Sequence, residues 1–196
     1  MKQMIDQIRR VLQTGVTTGR SPLIDGPEIH EIQEVVTDSL PAMVGCLSKR
    51  EYEPGRYLLY KDKDFGFVVM MLVWNRGQAT PIHAHGTWGV EAVIKNQVRV
   101  TSYACDDREA REIGSVVLPT GAVAYVLPPD ADIHKVEHFG EGQAITVHIY
   151  GRELVENMVF IPGQGFKGMP MSVNKLPDDL EWFAGVPWPS EVVPQA

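Results

Sequence analysis

The sequence predicts a mainly β domain, a small barrel or sandwich, with helices at its N-terminus. Three observations support this. Apolar residues recur at helical spacing up to about residue 50. Short apolar runs bounded by Gly, Pro and Asn then continue to residue 161. The stretch 162–196 is rich in Gly and Pro yet keeps Trp182 and Trp188, as an ordered tail wrapping the body would. The 196 residues suit one domain: a helical segment 1–50, a β core 55–161 and a tail 162–196.

Ile5, Ile8, Val11 and Leu12 mark a first amphipathic helix, which Gly15, Gly19 and Pro22 break. Pro27 suits the first turn of a second helix carrying Ile29, Ile32, Val35, Val36 and Leu40. Pro41 is expected to end it or to start a short further helix through Cys46 and Leu47. The β character begins near Tyr57. Strands are expected over Phe65–Trp74, Pro81–His85, Val90–Ile94, Val98–Tyr103, Val116–Leu118, Val123–Leu127, Lys135–Phe139, Ala144–Tyr150 and Asn157–Ile161. Lys95-Asn96-Gln97 reads as a hairpin turn and Pro119-Thr120-Gly121 as a second turn. A closed barrel of such strands has room inside for one small ligand.

A formal charge of −7 with no visible basic patch argues against a nucleic-acid partner. No apolar run is long enough to span a membrane, and the first residues lack a signal-peptide pattern. The two cysteines, Cys46 and Cys105, are too few and too far apart for a disulfide framework. The expectation is a cytoplasmic protein with reduced thiols, a monomer or small homo-oligomer.

Pro81-Ile82-His83-Ala84-His85 carries the chemistry. On a strand, alternate residues share a face, so His83 and His85 point the same way, roughly 6–7 Å apart at the backbone. That spacing lets two imidazoles converge on one metal ion. A third ligand is sought among His30, His134, His138 and His148. His30 lies in a helical stretch. His134 opens a strand after a Pro-rich loop. His148 shares a strand face with Thr146 and Tyr150, while Ile145, Val147 and Ile149 take the other. That polar face lines a pocket or forms an exposed edge, and the spacing does not choose between them.

Together these motifs resemble the cupin-fold thiol dioxygenases, the family of cysteine dioxygenase and bacterial 3-mercaptopropionate dioxygenase. The resemblance covers about Arg56 to Tyr150. It is carried in order by Pro81-Ile82-His83-Ala84-His85-Gly86-Thr87-Trp88-Gly89, by His134-Lys135-Val136-Glu137 and by Thr146-Val147-His148-Ile149-Tyr150. It implies a cupin barrel holding Fe(II) on His83, His85 and His134, with coordination positions left for a thiolate substrate and O₂. It implies a relay in which Thr146 orients His148 and His148 orients Tyr150. Thr146 replaces the family's usual Ser but keeps the hydroxyl. Arg56 falls where cysteine dioxygenases carry their carboxylate-binding Arg, and Arg pairs bidentately with a carboxylate. The implied activity adds both oxygen atoms to the sulfur of a small thiol carboxylate. L-cysteine is favoured, with 3-mercaptopropionate or another mercapto-acid close behind.

Departures from the pattern matter. Gly89 stands where mammalian-type enzymes have a Cys cross-linked to the tyrosine, so no cross-link is expected. The Arg that mercaptopropionate-type enzymes carry beyond the tyrosine has no counterpart at the matching distance, and Arg152 comes too early. His138 is read as lying behind the site or on the surface. Glu91 lies just past the position of the carboxylate ligand of general cupins, and its phase suggests a half-buried or rim residue. If it reached the metal, a different cupin chemistry would follow; three histidines also suit Zn²⁺. A non-catalytic cupin binding domain is the remaining alternative.

Overall fold

Two helices precede eleven strands in the computed structural model, which describes residues 1–18, 29–129, 131–177 and 180. The expected helix-breaking Gly19 and Pro22, Pro27 at the second helix start, and Trp182 and Trp188 in the tail lie outside the described residues. Helix α1 spans Lys2–Thr17 and buries Met4, Ile5, Ile8 and Leu12 on one stripe. Helix α2 runs unbroken from Ile29 to Leu47 with Pro41 inside it. The expected break at Pro41 is therefore corrected. Proline removes one helical hydrogen bond, but Ile32, Val36, Leu40, Met43 and Leu47 form one buried stripe across it. Burial of that stripe outweighs the local preference.

The strands are β1 (Gly55–Lys61), β2 (Val68–Trp74), β3 (His83–Ala84), β4 (Gly89–Lys95), β5 (Gln97–Cys105), β6 (Ala110–Pro119), β7 (Val123–Val126), β8 (His134–Glu137), β9 (Ala144–Tyr150), β10 (Glu156–Ile161) and β11 (Gly165–Pro170). They form a five-stranded sheet, β1-β2-β9-β4-β7, and a six-stranded sheet, β11-β10-β3-β8-β5-β6. All strand pairs are antiparallel. The expected mainly β architecture with N-terminal helices is the one observed.

Pairing differs from the expectation at one turn. Lys95-Asn96-Gln97 does not close a hairpin: β4 and β5 belong to different sheets. Pro119-Thr120-Gly121 is a turn as expected, with Ala122 N–H donating to the Pro119 carbonyl at 2.9 Å, and it leads from β6 in one sheet to β7 in the other. Turn residues reverse the chain, but they do not say which strand lies next to which. The adjacent hairpins are β1/β2, β5/β6 and β10/β11. Strand β11 escaped the sequence reading, and β1 was read only as β character from near Tyr57, without bounds. Gly55, Gly165 and Gly168 weaken the local strand signal at both.

The five-stranded sheet has two apolar faces, which explains why every residue of β2, Val-Val-Met-Met-Leu-Val-Trp, is buried. Val69, Met71, Val73, Val90, Ala92, Ile94, Ile145, Val147 and Ile149 pack outward in one core with the helices. Val68, Met70, Leu72, Trp74, Val93 and Tyr150 face inward in a second core with Val98 and Val136 of the other sheet. A charged clamp ties α1 to the β1/β2 hairpin. The buried Asp62 carboxylate accepts from Arg9 at 3.1 Å, from the Tyr60 hydroxyl at 2.8 Å, and from the N–H groups of Asp64 and Phe65. No helix among the described residues is long and apolar enough to cross a membrane.

Candidate metal centre

Strand alternation turns a set of polar residues into the inner layer. On β9, Thr146, His148 and Tyr150 point inward between β2 and β4, in register with Leu72, Met70 and Val68 on one side and with Val93, Glu91 and Gly89 on the other. Arg56 of β1 pairs with Leu72 and shares its face. From the opposite sheet, His83 of β3 lies directly across from His134 of β8. The face carrying Thr146, His148 and Tyr150 is thus buried within the barrel and is not a solvent-exposed edge.

His83, His85 and His134 come together: one ring nitrogen of each lies within 4.8 Å of the others, and all three are buried. Their far sides are spoken for. His83 Nδ1 donates to the Pro81 carbonyl at 3.1 Å, and His85 Nδ1 donates to Asp132 Oδ1 at 2.8 Å. Each bond leaves Nε2 as a lone pair turned toward the common centre. His134 Nε2 is buried with no hydrogen-bond partner. Burial, with the neighbouring imidazoles, pushes His83 down to about 3, and burial likewise pushes His134 down to about 4. Both are therefore uncharged at neutral pH, the form that ligates metal. An orphaned nitrogen among converging lone pairs fits a divalent metal ion, and these three histidines form a possible metal site.

Asp132, missed by the sequence reading, secures the site from behind. Its other oxygen accepts the main-chain N–H groups of His85 and Gly86 at 2.9 and 2.7 Å. Burial alone would raise its pKa, but the hydrogen bonds from His85 and Gly86 more than offset this and hold the carboxyl below its ordinary range. Its position two residues before His134 was the available signal.

Glu91 corrects an expectation. It is not a rim residue: it is 6% exposed and pairs across the sheet with His148. Its Oε1 lies 4.0 Å from His134 Nε2 and 3.1 Å from His148 Nδ1, without a well-directed hydrogen bond. Gly89, Glu91 and Val93 share the inner face of β4, opposite Tyr150, His148 and Thr146. Burial opposes ionisation of Glu91, yet His148, His134 and His85 around it draw its pKa well below the usual carboxylate range.

Thr146 Oγ1 lies 2.7 Å from His148 Nε2, and the Tyr150 hydroxyl 2.9 Å from His148 Nδ1. The Tyr150 ring stacks on His85 with centroids 4.8 Å apart. Burial, with Glu91 nearby, raises the Tyr150 phenol well above its ordinary range, so it is a phenol at neutral pH. Gly89 makes room for it: a Cβ there would sit 2.9 Å from Tyr150 Cδ1. Gly89 thus leaves no side chain to cross-link.

His83, His85, His134, Glu91, His148 and Tyr150, with Arg56, Trp74, Asn157 and Met171, line a small cavity of about 20 Å³. Among the described residues Arg56 forms no ion pair or hydrogen bond through its side chain. It also lines an adjoining, wider recess with Leu72, Trp74 and Thr80. The Asn157 side-chain oxygen is buried and unpartnered in the same cavity. Two other candidates lie elsewhere. Arg152 donates to the His85 carbonyl at 3.0 Å and does not line the cavity. His138, fully buried, lies against the carbonyls of Gln97 and Gly142, where it ties down the turn between β8 and β9.

No protein-family model matches the chain. Among solved structures it is similar to oxalate decarboxylase of Bacillus subtilis, a protein with Mn(II) centres, at 23% identity and a TM-score of 0.42, over 56% of this chain and 29% of that one. It is similar to the cupin domain of Schizosaccharomyces pombe Cnp3 at 10% identity and a TM-score of 0.40, over 50% and 60% of the two chains. It is also similar to a Cupin 2 conserved barrel domain protein from Salinispora arenicola at 13% identity and a TM-score of 0.38, over 50% and 75%. The match spans less than a third of the oxalate decarboxylase chain. At these scores the likeness carries no argument about activity.

Proposed function

We propose that the chain is an Fe(II)-dependent thiol dioxygenase acting on a small thiol carboxylate, with L-cysteine favoured and 3-mercaptopropionate or another mercapto-acid close behind. One observation carries the reading: three converging imidazoles share a small buried cavity with a guanidinium that has no partner among the described residues. A metal-seeking cluster and an anion-seeking cation in one chamber match a substrate with a soft thiolate at one end and a carboxylate at the other.

Bound on His83, His85 and His134, Fe(II) would supply a seat for the thiolate and for O₂. The overall change is RS⁻ + O₂ → RSO₂⁻. Two S–O bonds form, the O–O bond breaks, and sulfur gives up the four electrons that reduce both oxygen atoms, so no further reductant is needed. Arg56 binds the carboxylate through its paired N–H groups. Tyr150 offers its hydroxyl to the reacting end of the substrate, held by His148 and Thr146. The apolar wall of Met70, Leu72 and Leu154 limits water in the chamber.

The test is O₂ uptake by the Fe(II)-loaded protein with cysteine, 3-mercaptopropionate, mercaptosuccinate and cysteamine, with the product identified by mass. Uptake matched by sulfinate from a carboxylated thiol is expected. The reading falls if no thiol gives sulfinate, and the role of Arg56 falls if cysteamine, which lacks the carboxylate, is the best substrate.

Glu91 favours a second reading. A buried carboxylate with an unpaired oxygen 4.0 Å from His134 Nε2 could join the histidines as a fourth ligand and serve a non-thiol substrate. Zinc or manganese in the protein as purified, with metal affinity lost in Glu91→Gln, would support it.

A further inference from the structure

Four side chains on neighbouring strands form one file of hydrogen bonds. Trp74 Nε1 donates to Thr146 Oγ1 at 2.9 Å, Thr146 Oγ1 meets His148 Nε2 at 2.7 Å, and His148 Nδ1 meets the Tyr150 hydroxyl at 2.9 Å. The indole N–H can only donate, so Thr146 accepts from Trp74. Thr146 keeps one proton of its own, and the acceptor for it among the described residues is His148 Nε2. Were Thr146 to accept from Nε2 as well, its proton would be stranded in a buried site at the full cost of an unmade hydrogen bond. Thr146 therefore donates, and Nε2 is a bare lone pair.

The other end of the ring agrees independently. Glu91 Oε1 lies 3.1 Å from His148 Nδ1. A lone pair on Nδ1 would face that carboxyl oxygen acceptor to acceptor, whereas an N–H there faces it favourably. With the proton on Nδ1, the Tyr150 oxygen accepts from His148. The phenol proton then has no use within the file and turns toward the cavity between the histidines and Arg56.

We propose that Trp74, acting through Thr146, locks His148 in its Nδ1–H form and so aims the Tyr150 hydroxyl proton into the cavity. Trp74 is a positioning residue that sets the direction of the whole file. The ligand atom held beside Tyr150 is then a hydrogen-bond acceptor, such as a thiolate sulfur or a developing sulfinate oxygen. The direction of the bonds rests on the geometry alone, and only its use in turnover rests on the thiol-oxidation reading.

The test is ¹⁵N NMR of histidine-labelled, zinc(II)-exchanged protein, with His148→Gln assigning the His148 signals. The unaltered protein is expected to show a proton-bearing Nδ1 and a bare Nε2. Trp74→Phe keeps a ring in place and removes the donor, freeing Thr146 to accept from Nε2. Part of the His148 population is then expected to carry its proton on Nε2, and Thr146→Val should shift it the same way. A proton on Nε2 in the unaltered protein, protons on both nitrogens, or a Trp74→Phe spectrum matching the parent overturns the proposal. None of these signals requires turnover. With an oxidised thiol in hand, Trp74→Phe should lower kcat roughly tenfold or more with KM little changed. The predicted shifts in a protein that oxidises no thiol would sink the proposed function and leave the lock standing.

Discussion

The carboxylate of Asp132 holds His85 twice, through the ring at Nδ1 and through the main chain at its N–H. One side chain thus fixes both the rotation of an imidazole and the path of the main chain that presents it, just past β3. A metal ligand anchored this way loses little freedom when the ion arrives.

Asp132→Asn tests that economy. The amide keeps the shape but loses the negative charge behind His85 and one oxygen acceptor. Metal affinity should fall about 10- to 100-fold, measured by competition with a chromogenic chelator. Unchanged affinity would reduce Asp132 to a loop-stabilising residue.

Acid should weaken the metal-free fold before it reaches ordinary carboxylates. Burial pushes His83 and His134 in the native state down to about 3 and about 4, against 6.5 for a free imidazole. Between these values the unfolded chain binds more protons than the native one, so stability rises with pH across about 4 to 6.5 and levels off above. The urea midpoint of the metal-free protein should therefore be lower at pH 5 than at pH 7. Replacing both histidines with Gln should flatten that difference; an unaltered slope would place its origin elsewhere.

Gly89→Ala inserts a methyl group where the Tyr150 ring already lies, 2.9 Å from Cδ1. The ring must move off His148 or the strand must shift. A loss of about 1–3 kcal/mol is expected from denaturant unfolding, with a changed near-ultraviolet dichroism from the displaced tyrosine. An unaffected spectrum would mean that the ring has somewhere else to go.

Arg56→Gln should separate carboxylated thiols from cysteamine. Loss of a charge-assisted pair worth about 1.5–3 kcal/mol lowers kcat/KM for cysteine roughly 10- to 100-fold, with little change for cysteamine. Arg56→Lys should fall between, because it keeps the charge without the paired geometry. Equal losses for both thiols would point to a packing role.

Much of the inner layer was legible because strand periodicity is local. Thr146 with His148 and Tyr150 follow from alternation within β9, and His83 with His85 from the same two-residue spacing where the chain leaves β3. Glu91 was misplaced because its face depends on the register of β4 against β9, which sets it opposite His148. Trp74 and Asp132 were not singled out for the site because their partners, Thr146 and His85, lie 72 and 47 residues away in sequence. Pro41 misled because a local helix breaker was weighed without the buried stripe that holds α2 together.

By itself the sequence determined the type of most elements, the alternation that puts polar side chains on one strand face, and the pair of histidines two residues apart. Those properties depend on backbone periods of 2.0 and 3.6 residues, which neighbours along the chain impose. Only the tertiary structure decided which strands pair, that His134 faces His83, that Asp132 stands behind His85, and that Trp74 reaches Thr146. These depend on burial of two apolar faces and on hydrogen bonds that partner most of the polar groups enclosed between them, conditions that exist only once distant segments meet.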